Sequence, residues 1–530
     1  MLKFFFLSFL VFCSFCLLSI QPKTDPYKAI NNWKKADSPS LFKNYLGINL
    51  FEWDYVNYGQ ENEIEKRKMS RIKAFGNIRH YLDWEKIEPL PDQFTFNPSH
   101  TGNWNLDLMY ERTAKEDIGI LVCLKTIPKW LMDTYPSNEM DYENVPAPYG
   151  LDKSKPASYI AQAKAGFQLA ARYGQNKNID PLLLKVNTQT RWTGDRANEV
   201  KIGLGFIKYI ECDNERDKWW KGKQAYQSPE EYAANLSAFY DGHKGILGKD
   251  VGVKTADPSI KVVMSGLAVP DTNYVSRMID WCKKNRGLKP NGSIDLCFDI
   301  INYHAYSGDA DYGQQSKSTV GMAPELSLIG ELTKKFVSLS REKANSIPVW
   351  VTETGYDISP KSNIRAIAIG NKSALVTQAD WNLRTALLYA RSGINKSVFY
   401  MLNDIVNGDP SIQFSTSGFI NPDLSARPSW YYTQQAKTLL GDYTYSTTIH
   451  QDPIVDVYKK GNKEFYVLTI PDQIGRTANY VLNLGKAKQA MIYRLQTDKD
   501  SAKSTKMNLK DGKLTIKVTE TPVFVEKLNN

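Results

Sequence analysis

The alternation of short β-branched and aromatic runs with longer segments of helical period is the feature that most constrains this chain. Eight such runs predict strands at residues 46–53, 77–82, 119–126, 207–212, 260–265, 298–306, 348–353 and 396–402. Strands that alternate with helical segments indicate βα units and a parallel sheet. Eight units predict a (β/α)8 TIM barrel over residues 21–440, with its longest insertion at residues 131–205.

The sequence changes in character after residue 440. Short strands are predicted at residues 443–446, 455–459, 464–469, 478–482, 490–495, 513–517 and 523–526, with turns between them. This spacing predicts a C-terminal β-sandwich over residues 441–530. Only Gly441 and Asp442 join it to the preceding helix, so we expect a structural domain packed on the barrel by an apolar interface.

The N-terminus predicts export. Lys3 precedes an apolar run at residues 4–20, the layout of a secretory signal peptide covering residues 1–20. A membrane anchor is the alternative, and it is disfavoured because no basic stop-transfer cluster follows. A surface lipoprotein is disfavoured too, since bulky residues precede Cys13 and Cys16. We therefore expect a secreted or periplasmic protein without stable membrane insertion after signal removal.

Charge and cysteines exclude several classes of protein. The formal net charge is +10, but the basic residues are scattered, which disfavours nucleic acid as a partner. The spacing of Cys123, Cys212, Cys282 and Cys297 fits no zinc pattern, and both buried thiols and a Cys282–Cys297 disulfide stay open. Phosphate-loop, dinucleotide and metalloprotease motifs are absent from the sequence, so we expect neither cofactor nor metal. The oligomeric state is left open.

Two carboxylates end predicted strands. The fourth strand ends in Asn214 and Glu215, where an amide can bind a sugar hydroxyl while the glutamate protonates a glycosidic oxygen. The seventh strand ends in Glu353, followed by a Thr-Gly turn. An exposed loop glutamate and a helix-capping glutamate are the alternatives. Strands four and seven face each other across a barrel mouth, which suits a pair of carboxyl groups flanking one bond. Glu211, four residues before Glu215, is expected to pair with an arginine or lysine.

Several motifs, in the right order, resemble those of the clan A glycoside hydrolases. They are ECDNE at 211–215, VTETG at 351–355, NIRHYLDW at 77–84, TIPKW at 126–130 and YHAYS at 303–307. The nearest likeness is to the β-xylosidase/α-L-iduronidase-type family and its relatives. The resemblance implies a retaining glycosidase with Glu215 as acid/base and Glu353 as nucleophile.

The resemblance also implies roles for other residues. Arg79 and Tyr306 would hydrogen-bond the nucleophile, and Asn214 would hold the hydroxyl beside the anomeric carbon. His304 would position the acid/base or a sugar hydroxyl, and a core histidine is the alternative. Two departures stand out: Asp213 replaces a tryptophan and removes one wall of the site, and Tyr400 lies where relatives often place a platform tryptophan.

Five tryptophans lie at or just beyond predicted strand ends, namely Trp53, Trp84, Trp130, Trp219 and Trp220. Their faces suit stacking on sugar rings, and core packing is the alternative for each. The sequence therefore predicts a retaining hydrolase of a β-linked plant or algal poly- or oligosaccharide. A catalytically inactive glycan-binding barrel and a transglycosylase using the same carboxylates are the alternatives.

Overall fold

A computed structural model describes residues 40–310, 317–405 and 412–528, so the predicted signal peptide lies outside the described residues. The first eight strands are β1 Gly47–Leu50, β2 Asn77–Asp83, β3 Gly119–Lys125, β4 Tyr209–Cys212, β5 Lys261–Met264, β6 Ile301–His304, β7 Val349–Glu353 and β8 Lys396–Phe399. Seven neighbouring pairs form parallel ladders in the order β5-β4-β3-β2-β1-β8-β7-β6. Parallel bridges from Val263 to Ile300 and from Leu267 to Tyr303 connect β5 to β6. The predicted eight-stranded barrel is confirmed.

The helices are α1 Lys66–Ile72, α2 Leu106–Lys115, α3 Lys129–Met132, α4 Ile160–Tyr173, α5 Pro229–Asp241, α6 Val253–Ala256, α7 Thr272–Asn285, α8 Ile329–Lys343, α9 Ala374–Ser392 and α10 Pro428–Leu440. Local sequence sets their ends, as α5 illustrates. Ser228 and Glu231 form a reciprocal capping box, and Pro229 takes the first helical position. Gly242 ends the helix in the left-handed conformation that a side chain would strain.

The two faces of each barrel strand have different roles. In β2, side chains alternate in direction, so Arg79, Tyr81 and Asp83 share one face while Ile78 and Leu82 share the other. Arg79 contacts groups on β4 and β7, which places its face inside the barrel. Ile78 and Leu82 belong to the hydrophobic core shared with the helices. Strand alternation therefore turns the side chains of Arg79, Tyr81 and Asp83 into the barrel interior.

The C-terminal domain has eight strands among the described residues. They are β9 Thr444–Gln451, β10 Ile454–Lys460, β11 Lys463–Thr469, β12 Ala478–Asn483, β13 Gln489–Arg494, β14 Lys503–Asn508, β15 Lys513–Val518 and β16 Val523–Leu528. A six-stranded antiparallel sheet and a two-stranded antiparallel sheet of β12 and β15 enclose a separate apolar core, so the predicted β-sandwich is confirmed. Strand β14 is missing from the sequence-based prediction because its side chains are mostly polar and exposed.

The domain packs on the barrel through apolar and ionic contacts. The ring of Phe42 lies edge-on to Tyr458 with centroids 5.4 Å apart. Arg391 of α9 donates to Asp456 of β10 at 2.5 Å, with both side chains buried. All four cysteines of the described residues are free thiols, and Cys282 Sγ lies 3.4 Å from Cys297 Sγ. None of the described helices has the length and apolar character needed to cross a membrane.

Candidate active site

Arg79 connects three strands at the barrel mouth. Its Nε and Nη2 donate to Glu211 at 2.6 and 2.9 Å, forming a fully buried bidentate ion pair. Its Nη1 donates to Glu353 at 3.0 Å and to Asn49 at 3.1 Å. Nη2 also donates to Asn214 Oδ1 at 2.8 Å. Because Oδ1 of Asn214 accepts this bond, its amide nitrogen stays available as a donor.

Glu353 ends β7 as a buried carboxylate surrounded by donors. Besides Arg79, Tyr306 donates to its Oε2 at 2.9 Å, and the Tyr81 hydroxyl donates to its Oε1. Burial acts to raise the pKa of Glu353, but the positive charges of His304 and Arg79 and the two hydroxyls outweigh it. The pKa of Glu353 therefore lies below its ordinary value, and the group is ionised.

Glu215 follows β4 with φ 51, in the left-handed region that few non-glycine residues adopt. His304 Nδ1 lies 2.8 Å from Glu215 Oε1 and 3.6 Å from Glu353 Oε1. Its Nε2 lies 3.2 Å from Thr352 Oγ1, and a methyl group at Gly266 would overlap that nitrogen. Burial acts to lower the pKa of His304, but the charges of Glu353 and Glu215 raise it overall.

The two carboxylates come close together. One ligand-type atom each from Glu215, His304 and Glu353 lies within 4.8 Å of the others. Retaining glycosidases hold their carboxyl groups about 5–5.5 Å apart, whereas inverting enzymes hold them about 6.5–9.5 Å apart. The spacing fits the retaining arrangement. The same three groups are of metal-ligating type, but the guanidinium of Arg79 on Glu353 opposes a cation at this position.

Asp213, which stands where the resemblance leads one to expect a tryptophan, does not face the cleft. The side chain is buried and accepts from Arg216 at 3.2 Å and Gln162 at 3.3 Å. Arg216 is itself fully buried and donates to the carbonyl of Ala225 at 2.6 Å. Asp213 thus anchors the loop that presents Glu215.

The five tryptophans divide into two groups. Trp53, Trp219 and Trp220 are 51%, 67% and 48% exposed, so their rings are available to a ligand. Trp84 is fully buried and donates to Glu88 at 2.5 Å, so it has no face for a sugar, which corrects its place among the stacking candidates. Trp130 is partly buried with its edge against Trp84.

The sequence-based prediction does not include an aromatic stack that runs outward from Glu353. The Phe51 ring stacks on Tyr81 at 5.5 Å and on Trp53 at 4.4 Å. Tyr400 lies edge-on to Tyr81 at 6.2 Å and to Phe414 at 5.9 Å. The two-residue repeat of a strand could have indicated Tyr81, because it stands two residues beyond Arg79 on the same strand face.

The fold is that of structures described as glycoside hydrolases, so the resemblance in the motifs is confirmed as a likeness of fold. A family 39 glycoside hydrolase from Bacteroides cellulosilyticus WH2 matches 92% of this chain and 82% of its own with TM-score 0.60 and 17% identity. A glucosidase from Croceicoccus marinus matches 93% of this chain and 98% of its own with TM-score 0.54 and 12% identity. A family 51 α-L-arabinofuranosidase from Bifidobacterium longum matches 94% of this chain and 98% of its own with TM-score 0.53 and 14% identity.

Sequence comparison gives a weaker match. The β-galactosidase of Pongo abelii is 23% identical over 286 residues, which is 52% of this chain and 34% of that protein. The human β-galactosidase matches to the same extent. The aligned part thus spans about a third of the length of these curated relatives. No family model matches the chain.

Proposed function

We propose that this protein is an exported retaining glycoside hydrolase that cleaves a β-linked poly- or oligosaccharide by double displacement. The observation that carries the proposal is the pair Glu215 and Glu353, with oxygens within 4.8 Å across the barrel mouth. The environment of Glu353 keeps it ionised, as a nucleophile requires. Glycosidase and galactosidase names among the similar proteins support the same reaction class.

In the first step, a carboxylate oxygen of Glu353 forms a bond to the anomeric carbon while the bond from that carbon to the glycosidic oxygen breaks. Glu215 transfers its proton to the departing oxygen. In the second step, Glu215 takes a proton from water, whose oxygen attacks the anomeric carbon and releases Glu353. The two inversions give net retention.

The surrounding residues hold these groups in place. Arg79, Tyr81 and Tyr306 occupy both oxygens of Glu353, which fixes the direction of the attacking lone pair. His304 holds Glu215 by a 2.8 Å hydrogen bond. Asn214 presents its amide donor to the hydroxyl adjacent to the reacting carbon. Trp219 and Trp220 provide exposed aromatic faces beyond Glu215 for the leaving-group side of the chain.

The test is a panel of neutral and acidic aryl β-glycosides and oligosaccharides, with the anomer of the first product identified by proton NMR. We expect cleavage with the β-anomer formed first, and an α-anomer first would contradict the retaining mechanism. Tight binding without cleavage would favour the inactive glycan-binding barrel. Oligosaccharide products at high sugar concentration would favour the transglycosylase.

Variants assign the two roles. Glu353→Gln should lower kcat by at least about 1000-fold on every substrate, since it removes the nucleophile. Glu215→Gln should lose far less on a dinitrophenyl glycoside, whose leaving group needs no proton, than on an oligosaccharide. Glu111→Gln, on the exposed face of α2, is the matched control and should behave as wild type. Full activity in Glu353→Gln would exclude the assignment.

A further inference from the structure

Above the nucleophile, the inner faces of β2 and β3 end in charged side chains. Asp83 is two residues beyond Tyr81 on β2, and Lys125 is two residues beyond Cys123 on β3. Cys123 Sγ accepts from Arg79, so its face of β3 is the inner one. Two residues span about 6.6 Å along a strand, which places Asp83 and Lys125 one side-chain layer further out. They therefore lie in the wall of the mouth, between the reaction centre and solvent.

Contacts place these two residues beside the aromatic stack. Lys125 Nζ lies 5.4 Å from the ring centroid of Tyr81, whose hydroxyl donates to Glu353. Lys86 Nζ lies 5.6 Å from the ring of Trp53. The side chains of Asp83 and Lys125 keep 36% and 21% of their surface exposed, so a ligand in the cleft can reach them.

Ion pairs hold the side chains of Asp83, Lys86 and Lys125 in one arrangement. Asp83 Oδ1 accepts from Lys125 at 2.8 Å, and its Oδ2 lies 3.0 Å from Lys86 Nζ. Lys86 also donates to Glu52, which is fully buried beneath it, at 2.8 Å. Burial acts to raise the pKa of Asp83, but the two lysines outweigh it and lower the pKa to about 2. Asp83 is thus a carboxylate throughout the working range of the enzyme.

Hydrogen-bonding capacity remains after these contacts. Each carboxylate oxygen accepts about two bonds, and an ammonium group donates three. Asp83 Oδ1 also accepts from Thr126 at 3.3 Å, so Oδ2 keeps a free lone pair. Lys125 Nζ uses one of its three N–H groups to donate to Asp83. An adjacent donor and acceptor of this kind match two neighbouring hydroxyls, one accepting from Lys125 and the other donating to Asp83.

The charge balance decides the substrate class. Two cations, Lys86 and Lys125, face two carboxylates, Asp83 and Glu52, so neither lysine carries an unmatched charge, and His80 Nε2 lies 3.3 Å from the same Glu52. A carboxylate on the sugar would be placed beside Asp83 and near Glu353 without a cation of its own. We propose that Asp83 and Lys125 bind adjacent hydroxyls of a neutral sugar in the subsite next to Glu353, and so select neutral glycosides over uronides. This inference rests on the proposed function.

The first test uses the wild-type protein. The kcat/KM for the best neutral aryl β-glycoside should exceed that for the uronide of the same sugar by about 100-fold or more. In single-deoxy analogues of the best sugar, each hydroxyl is removed in turn. At one or two positions distant from the reacting carbon, this removal should lower kcat/KM by about 100-fold. A uronide cleaved as well as its neutral counterpart would overturn the proposal.

The second test uses Asp83→Asn and Lys125→Gln. Each variant should lower kcat/KM on the parent sugar by about 100-fold, mainly through KM. In each variant, kcat/KM for the deoxy analogue should then lie within about 5-fold of kcat/KM for the parent sugar. A purely structural role would lower activity on the parent and deoxy sugars alike. Asp442→Asn, which removes an exposed partner of Lys460, is the matched control.

The outcomes separate the two proposals. Cleavage of no glycoside by the wild-type protein would refute the proposed function. Cleavage by wild type, with unchanged deoxy selectivity in both variants, would refute only the role of Asp83 and Lys125. Thermal unfolding midpoints identify a variant that is merely unstable. If Asp83→Asn fails to fold, Lys125→Gln and the wild-type deoxy series still decide.

Discussion

The two ends of the barrel treat buried charge in opposite ways. At the mouth, Arg79 is fully buried between two carboxylates, Glu211 and Glu353, and every one of its nitrogens donates. At the opposite end, Lys396 begins β8 and is buried with its Nζ 4.5 Å from the ring of Trp350 and 4.7 Å from that of Tyr209. Within the described ranges, no ion pair involves Lys396.

The difference shows what each end is built for. Burying a charge is costly, and partners offset the cost only when they satisfy every donor and acceptor. The mouth meets that condition, and the proposed reaction needs an ionised carboxylate in a fixed position there. At the lower end, the rings that face Lys396 belong to an apolar cluster with Leu121, Val263 and Ile300, and the charge of Lys396 has no part in the proposed reaction. We therefore expect removal of the cation to be damaging at the mouth and beneficial at the other end.

The largest effect is expected from Arg79→Met. It leaves Glu211 and Glu353 buried without their cation, which costs about 3–5 kcal/mol of the free energy of unfolding. Activity should be lost at the same time, since Glu353 then binds a proton more readily. Urea denaturation and kcat/KM measure both effects. Arg112→Met, which breaks an exposed pair with Glu116 on α2, should change stability by under about 0.5 kcal/mol. An Arg79→Met protein within 1 kcal/mol of wild type would contradict the comparison.

A smaller effect is expected from Gly266→Ala, which tests how tightly the mouth is packed. The added methyl group overlaps His304 Nε2, so the imidazole has to move away from Glu215. We expect kcat to fall by about 100-fold, the lower end of what a positioned acid/base contributes. Gly330→Ala in α8 is the control, since its nearest neighbour is Leu388 Cδ1 at 4.0 Å. Equal kcat in both variants would show that His304 does not position Glu215.

The hydrophobic pattern and the order of elements along the chain predict the barrel strands well. The eight barrel strands lie within the predicted ranges except that β2 extends one residue further, because strands buried on both faces appear in the sequence as continuous apolar runs. Glu215 and Glu353 are predicted as site residues from a related pattern, as polar residues at the ends of apolar strands, and the structure places their side chains close together. Strand β14 lacks such an apolar pattern, since its side chains are mostly polar and exposed.

Long-range partners could not be read from the sequence. Trp84 and Trp53 both lie beside strand ends, yet Trp84 is buried against Glu88 and Trp53 is half exposed on Phe51. Asp213 is a departure in a familiar motif, and only its contact with Arg216 shows that it supports the loop. Such contacts depend on which side chains meet in three dimensions, which neither period nor composition specifies.

The smallest effect, and the one of opposite sign, is expected from Lys396→Met. Burial lowers the pKa of Lys396 from 10.5 to about 7, with Lys208 adding repulsion, while the faces of Trp350 and Tyr209 offset part of that cost. Between these two pKa values the unfolded chain binds more protons than the folded one, so wild-type stability rises with pH across this window. The penalty is complete below pH 7 and absent above pH 10.5.

Lys396→Met should therefore raise the free energy of unfolding by about 2 kcal/mol at pH 6 and by much less above pH 10, with kcat/KM unchanged. Denaturation of both proteins at several pH values between 6 and 10.5 measures the difference. Lys115→Met, at an exposed pair with Glu111, is the control and should show no such pH dependence. A Lys396→Met protein that is less stable than wild type at pH 6 would mean that the aromatic faces stabilise the cation more than burial penalises it. The two ends of the barrel would then differ in how the buried cation is stabilised, by carboxylates at the mouth and by aromatic rings at the other end.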